Sequence, residues 1–202
     1  MPYPDRFYPV VDSISWVARL TKLGVGTIQL RAKNLNDADA LAIVREGLAV
    51  TRGTHSELVV NDYWRAAIEA QARHLHLGQE DLADADLAAI RKAGLSLGVS
   101  THDDDELATA LRAKPDYVAL GPIFFTMLKS MRFAPQGIPK ITEWKRRVGS
   151  LPLVAIGGIK FEHAADIFAA GADSIAVVSD VTQNADPDAR VRQWLGASAK
   201  AA

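Results

Sequence analysis

The regular alternation of short apolar runs with helical patterns constrains the fold of this 202-residue chain more than any other feature. The apolar runs are nearly continuous, as in strands buried on both faces of a parallel sheet. We expect eight strands, at residues 7–11, 27–33, 57–60, 74–77, 95–99, 117–120, 153–156 and 174–178. Helical patterns follow them at residues 14–23, 36–50, 63–73, 84–93, 103–113, 141–148, 161–170 and 186–195.

Eight consecutive strand–helix units predict an α/β fold, a (β/α)8 TIM barrel. Such alternation gives a parallel sheet, and eight repeats close it into a barrel. A doubly wound open sheet is the alternative, but G-x-G-x-x-G does not follow the first strand, and Gly157-Gly158-Ile159 does not fill that pattern. We therefore expect a single domain over residues 1–202 without a linker, and a frayed tail at residues 196–202.

Composition and charge narrow the classes of function. A hydrophobic content of 49% and a net charge of −1 are typical of a soluble globular protein and argue against general nucleic-acid binding. The sequence has no cysteine, which excludes disulfides, thiolate nucleophiles and zinc–thiolate sites. It shows no signal-peptide pattern and no apolar run near the roughly 20 residues that span a bilayer. We expect a cytoplasmic protein without nucleic-acid or membrane partners; a homo-oligomer stays open.

Polar side chains collect at the predicted C-terminal ends of the strands, where TIM barrels carry their active sites. Gln29, Arg31 and Lys33 alternate along the second strand and share one face for as long as the strand lasts. An amide, a guanidinium and an ammonium suit a phosphorylated ligand. The alternative is that Arg31 and Lys33 only begin a solvated loop.

Two carboxylates, Asp62 and Asp81, end the third and fourth strands, which should be neighbours roughly 5 Å apart. Carboxylates this close either share a proton or hold a cation. Together with the cations Arg31, Lys33 and Lys129, they would suit a magnesium ion that bridges a diphosphate. The spacing is not a diagnostic metal motif, so both alternatives remain.

The ends of the last two strands predict a phosphate-binding corner. Gly157 and Gly158 follow strand seven, and Val178 and Ser179 end strand eight. Glycine lets backbone N–H groups approach a phosphate closely, and a helix N-terminus adds a favourable dipole. A plain turn is the alternative.

The histidines near the strand ends could be packed structural residues or acid–base catalysts. His74 and His76 alternate on strand four, so we expect one of them to face the barrel interior and be packed there. His102 follows strand five and is the better acid–base candidate, although it could instead cap the next helix.

Short motifs along nearly the whole chain resemble, in order, those of the thiamine-phosphate synthase family. They are Gln29-Leu30-Arg31-Ala32-Lys33, Asn61-Asp62, His76-Leu77-Gly78-Gln79-Glu80-Asp81, Gly98-Val99-Ser100-Thr101-His102, Gly121-Pro122-Ile123-Phe124, Ala155-Ile156-Gly157-Gly158-Ile159 and Val177-Val178-Ser179. The resemblance implies an enzyme that joins a hydroxymethylpyrimidine diphosphate to a thiazole phosphate, or to its carboxylated form. It also implies release of diphosphate and a need for Mg²⁺.

The resemblance also implies a role for each matching residue. The pyrimidine diphosphate would be held by Gln29, Arg31, Lys33, Asn61, Ser100 and Lys129. The magnesium ligands would be Asp62 and Asp81, and the thiazole phosphate would be held by Thr126, Leu128, Gly158, Val178 and Ser179. The implied catalytic residues are Arg31, Lys33, Ser100 and Lys129. Because an aminopyrimidine can support a carbocation at its methylene, no protein nucleophile would be required.

Two positions depart from the family pattern. Leu128 replaces the second threonine of a P-T-x-T-K loop, so a phosphate contact there must come from its backbone N–H. Tyr63 stands where an arginine commonly follows N-D. Two other functions stay open: a barrel that isomerises or aromatises the thiazole phosphate, like a tautomerase, and a barrel that binds a thiamine precursor without turnover. The predicted cations and the carboxylate pair favour the synthase.

Overall fold

Eight parallel strands close into a barrel in the computed structural model, which describes residues 3–126 and 133–200. Each strand pairs with the next along the chain, and the eighth closes on the first. The strands are β1 (Phe7–Val11), β2 (Thr27–Leu30), β3 (Glu57–Asn61), β4 (His74–Leu77), β5 (Ser96–Thr101), β6 (Tyr117–Leu120), β7 (Leu153–Ile156) and β8 (Ser174–Val177). The predicted (β/α)8 barrel is confirmed, and every strand overlaps its predicted run.

Helices follow the strands around the outside of the barrel. They are α1 (Ile14–Lys22), α2 (Asp37–Thr51), α3 (Trp64–Glu69), α4 (Gln79–Asp84), α5 (Leu87–Lys92), α6 (Asp104–Arg112), α7 (Gly137–Val148), α8 (Ala164–Ala169), α9 (Ser179–Thr182) and α10 (Pro187–Lys200). Asn36, Asp86 and Asp103 each accept a hydrogen bond from a first-turn backbone N–H. These bonds satisfy donors that the helices themselves leave free. Within the described ranges, no helix is long and apolar enough to cross a membrane.

The structure corrects the expected end of β2 and the expected helix at residues 84–93. β2 ends at Leu30, so Arg31 and Lys33 lie in the loop that follows it. The expected helix begins only at Leu87, as α5, because Asp86 adopts an extended conformation and caps α5 through Ala89 N. The helix α4, which was not expected, precedes it. Since α4 begins at Gln79, Asp81 lies in the first turn of a helix and does not end a strand.

Two further differences concern the C-terminal part of the chain. Ser179 begins the short helix α9, whereas we expected it to end β8. The final helix, expected to end at Leu195, continues to Lys200, so most of the tail that we expected to fray is helical.

The core has two layers, one between the strands and helices and one inside the barrel. In the outer layer Phe7 of β1 stacks on Trp194 of α10, with ring centroids 5.5 Å apart. The inner layer contains Tyr8 and Tyr117, which are both fully buried. A Cβ on Gly98 would collide with the Tyr117 ring. Glycine at this position of β5 therefore makes room for an aromatic side chain in the barrel interior.

Candidate active site

The ends of β2, β3 and β4 bring a pair of carboxylates close to cationic side chains. Lys33, Asp62 and Asp81 line one cavity of about 590 Å³. Arg31 lies near enough to oppose, through its charge, the rise in the pKa of Asp62. We call Arg31, Lys33, Asp62 and Asp81 the carboxylate side of the site. The structure thus brings together four of the residues predicted from the second to fourth strands.

Asp62 occupies a sharp turn at the end of β3. Its backbone is left-handed, with φ +66°, a conformation that aspartate tolerates better than most non-glycine residues. Its N–H donates to the His76 carbonyl oxygen at 2.9 Å, and its own carbonyl accepts from Trp64 N at 2.7 Å. The backbone of β4 and α3 therefore fixes the position of Asp62.

The surroundings of Asp62 disfavour the charged form of its carboxyl group. Burial, and then the neighbouring Asp81 carboxylate, raise the pKa of Asp62 to about 6. No group of three or more metal-binding His, Asp or Glu side chains occurs among the described residues. Magnesium, however, commonly binds one or two carboxylates and takes its other ligands from phosphate and water. This donor set therefore fits a magnesium ion that is bound together with a diphosphate.

Asn61 places a second polar side chain at the end of β3. It is only 4% exposed, and its Nδ2 forms no hydrogen bond with the described residues. This amide approaches Asp62 closely enough to lower the pKa of that carboxyl, but without the geometry of a hydrogen bond. A buried donor without a partner is costly, which fits a group that binds a ligand.

Gln29 and Ser100 lie at the two ends of a chain of hydrogen bonds inside the barrel. Gln29 Nε2 donates to the Tyr8 hydroxyl at 2.7 Å, and that hydroxyl lies 2.8 Å from the hydroxyl of Tyr117. The Tyr117 hydroxyl is 2.8 Å from His76 Nδ1, and His76 Nε2 is 2.8 Å from Ser100 Oγ. We call these five side chains the interior relay. Sequence reasoning missed the two tyrosines and expected a buried histidine without naming its partners.

Gly157 and Gly158 sit where the segment after β7 passes close to the segment after β6. Both have positive φ, +98° and +66°. A Cβ on Gly158 would collide with the carbonyl oxygens of Phe124 and Phe125, and one on Gly157 would lie 2.7 Å from the Pro122 Cα. Only glycine fits both the backbone conformation and the space.

The start of α9 lies next to these glycines in the barrel, because β7 and β8 are neighbours. Val178 precedes α9, and its carbonyl accepts from Thr182 N at 2.9 Å. Ser179 is the first residue of α9. We call Gly157, Gly158, Val178 and Ser179 the glycine corner.

The long loop after β6 is described only in part. Thr126 is the last described residue before residue 133. The other two predicted site residues of this loop, Leu128 and Lys129, lie outside the described residues.

Tyr63, one of the two departures from the family pattern, connects two loops of the site. Its hydroxyl accepts a hydrogen bond from Leu35 N at 3.1 Å. The loop that carries Arg31 and Lys33 is thereby attached to the turn that carries Asp62. A tyrosine at this position contributes to the geometry of the carboxylate side.

The other two histidines considered from the sequence, His102 and His74, have structural partners. His102 Nδ1 lies 2.6 Å from Glu106 Oε2, which also accepts from His102 N, and the ring stacks on Phe133. The ring thus pairs with a side chain of α6, whereas the residue that caps this helix is Asp103, which accepts from Glu106 N. His74 stacks on Tyr3 with ring centroids 4.1 Å apart. Because His74 begins β4, it lies at the opposite end of the barrel from the site.

A closed barrel whose strand ends combine a carboxylate pair, cations and a glycine corner is typical of TIM-barrel enzymes that act on phosphorylated small molecules. The sequence profile of thiamine monophosphate synthase matches residues 7–181. The chain belongs to this family, whose members are transferases of thiamine biosynthesis. The family predicted from the motifs is confirmed.

Individual relatives agree over almost the full length. A thiamine-phosphate synthase of Rhizobium etli is 55% identical over 195 residues, which are 96% of each chain. One of Klebsiella pneumoniae is 49% identical over 195 residues, 96% of this chain and 92% of the relative. A solved structure, the thiamine phosphate pyrophosphorylase from Pyrococcus furiosus, superposes with a TM-score of 0.84 at 25% identity and covers 96% of each chain.

Proposed function

We propose that this protein couples a hydroxymethylpyrimidine diphosphate to a thiazole phosphate, or to its carboxylated form, and yields thiamine phosphate and diphosphate. The observation that carries the proposal is the carboxylate pair Asp62 and Asp81, which lines one cavity with Lys33. The family to which the chain belongs supports it over nearly the full length. A tautomerase-like barrel would have no use for this pair.

The carboxylate side is suited to a leaving diphosphate. Asp62 and Asp81 would hold a magnesium ion, which when bound neutralises the charge of the departing diphosphate. Arg31 and Lys33 would contribute donors to the same phosphate oxygens. Preorganised charges of this kind stabilise the transition state where negative charge develops.

The proposed reaction is dissociative. The C–O bond between the pyrimidine methylene and the diphosphate breaks, and its electron pair leaves with the diphosphate. The thiazole nitrogen then supplies the electron pair of the new C–N bond. The protein binds and orients both substrates, and none of its side chains serves as a nucleophile. Gln29, Asn61 and Ser100 would orient the pyrimidine substrate.

The glycine corner is proposed to bind the second substrate. Gly158, Val178 and Ser179 would offer backbone N–H groups to the thiazole phosphate, since glycine permits close approach. Thr126 and the backbone of Leu128 would complete this site, and Lys129 would act on the diphosphate. The roles of Leu128 and Lys129 rest on the family resemblance alone. A cytoplasmic location and a homo-oligomer stay predictions.

Product formation tests the proposal directly. Purified protein is mixed with both substrates and Mg²⁺, and thiamine phosphate and diphosphate are followed by chromatography. We expect both products in equal amounts, and neither when one substrate is omitted or a chelator is added. If the substrates stabilise the protein against unfolding but no product forms, the protein is a binding protein and not a synthase. If the chelator leaves product formation undiminished, the assignment of a magnesium site is wrong.

A further inference from the structure

The interior relay carries an inference about how Ser100 is held. Its members come from β1, β2, β4, β5 and β6, so it crosses the barrel interior from Gln29 to Ser100. Tyr8 and Tyr117 are 1% and 0% exposed, and bulk water therefore does not exchange with their hydroxyls. The hydroxyl hydrogens of these two tyrosines must therefore find their acceptors within the protein.

The direction of the hydrogen bonds follows from counting donors. The Gln29 amide nitrogen can only donate, so the Tyr8 oxygen accepts. The Tyr8 hydrogen must then go to Tyr117, because the described residues offer it no other acceptor. Tyr117 in turn donates its hydrogen to His76 Nδ1.

The last bond of the relay reaches Ser100. A neutral imidazole that accepts at Nδ1 carries its hydrogen on Nε2. His76 Nε2–H therefore donates to Ser100 Oγ. With an oxygen lone pair engaged in this way, the serine keeps its own hydrogen for another partner.

We propose that Tyr117, acting through His76, is a positioning residue that holds the Ser100 hydroxyl as a hydrogen-bond donor to an acceptor atom of the pyrimidine diphosphate. This inference rests on the proposed function, since it assigns the contact to that substrate. Gly98 belongs to the same device, because a Cβ there would collide with the Tyr117 ring. In the reverse order the Gln29 amide oxygen accepts and His76 carries its hydrogen on Nδ1. Ser100 would then donate to His76 Nε2 and could only accept a hydrogen bond from the substrate.

Nitrogen NMR of histidine-labelled wild-type protein distinguishes the two orders. The protonated and unprotonated nitrogens of a neutral imidazole have widely separated shifts, and His76→Gln assigns the signal among the five histidines. We expect His76 to be the Nε2–H tautomer at neutral pH. The Nδ1–H tautomer would overturn the inference. This measurement needs no activity and no folded Tyr117 variant.

Kinetics test whether the relay reaches the substrate. Tyr117→Phe should lower kcat/KM for the pyrimidine diphosphate about tenfold, the value of one hydrogen bond, and leave KM for the thiazole phosphate unchanged. In a Ser100→Ala background the same change should cost almost nothing, because coupled residues are not additive. Full additivity of the two changes would overturn the inference.

Thr101→Val is the matched control for the loss of a buried hydroxyl. Thr101 is also on β5, but its hydroxyl donates to the Ala119 carbonyl oxygen at 2.8 Å, outside the relay. We expect its kcat/KM to stay near that of the wild type. Wild-type protein without coupling activity would overturn the proposed function and with it the substrate contact. An Nδ1–H tautomer in an active enzyme would overturn this inference alone.

Discussion

The carboxylate side follows β2 to β4 and the glycine corner follows β7 and β8, so the two regions occupy separate parts of one barrel face, and they are built in opposite ways. The carboxylate side depends on charged side chains, and burial next to Asp81 raises the pKa of Asp62. The glycine corner depends on the absence of side chains, since a Cβ on Gly158 would collide with two carbonyl oxygens. The first offers charged groups that can neutralise charge on a ligand, whereas the second offers space in which backbone groups can approach a ligand closely.

This difference fits the two proposed substrates. A diphosphate that leaves needs charge compensation that strengthens in the transition state. A phosphate that serves only as a handle needs uniform binding, which affects KM more than kcat. The predictions below are ways to separate the two regions by experiment.

The largest effect is expected on the carboxylate side. Asp62→Ala or Asp81→Ala should lower kcat by at least about 10²–10³, because each removes a group that acts on transition-state charge. Circular dichroism and thermal unfolding should show an intact fold. Asp105→Ala, which removes an exposed carboxylate from α6, is the matched control and should keep full activity. Near-wild-type kcat in either site variant would show that the metal assignment is wrong.

Substitutions of Lys129 and Leu128 should affect different kinetic constants, as the two regions do. Lys129→Ala should lower kcat and kcat/KM together, by about tenfold or more, since the ammonium would act on the departing diphosphate. Leu128→Ala should mainly raise KM for the thiazole phosphate and spare kcat. Steady-state kinetics with each substrate varied in turn decide this. If Lys129→Ala has the kcat and kcat/KM of the wild type, the assignment of this loop to the proposed site is wrong.

Gly158→Ala should raise KM for the thiazole phosphate, by about tenfold, and lower the free energy of unfolding by about 1–3 kcal/mol. Both effects follow from the displacement of the backbone at the glycine corner. Gly53→Ala is the matched control, because its φ is +73° but a Cβ there would have open space. That variant carries only the conformational cost of roughly 1–2 kcal/mol and should keep its KM. Equal kinetic effects in both variants would contradict the assignment.

The smallest effect is expected on the free energy of unfolding of the metal-free protein. A folded-state pKa of about 6 for Asp62 means that its ionised form opposes folding above that pH. Asp62→Asn should therefore stabilise the metal-free protein above pH 6, by at most about 3 kcal/mol, and the gain should disappear below about pH 4. Asparagine also tolerates the positive φ of this position. Urea unfolding with a chelator at the two pH values measures the difference.

Most of the fold could be predicted because buried parallel strands leave continuous apolar runs such as Leu153–Ile156. The short helices α4 and α9 could not, since Gln79 and Ser179 look like ordinary polar residues at the end of a strand. What makes them helical is the local backbone path after β4 and β8. Sequence periodicity carries little information about elements of four to six residues.

The candidate site was predictable as residue types at strand ends, but its contacts were not. Tyr8 and Tyr117 read as core residues, and nothing in their own segments shows that their hydroxyls meet 109 positions apart in the chain. The signal that could have found them is Gly98, a glycine inside a buried strand, which often marks a close approach of another group. Barrel closure and register, which depend on all eight strands, then bring these side chains together.

Calorimetric titration of each substrate, with Mg²⁺ and with a chelator, tests most directly whether the two regions divide the chemistry. The protein is titrated separately with the pyrimidine diphosphate and with the thiazole phosphate. We expect binding of the diphosphate to weaken at least tenfold without Mg²⁺, and to lose this dependence in Asp81→Asn. The thiazole phosphate should bind equally well in all cases. Equal metal dependence for both substrates, or none for either, would contradict the division between the carboxylate side and the glycine corner.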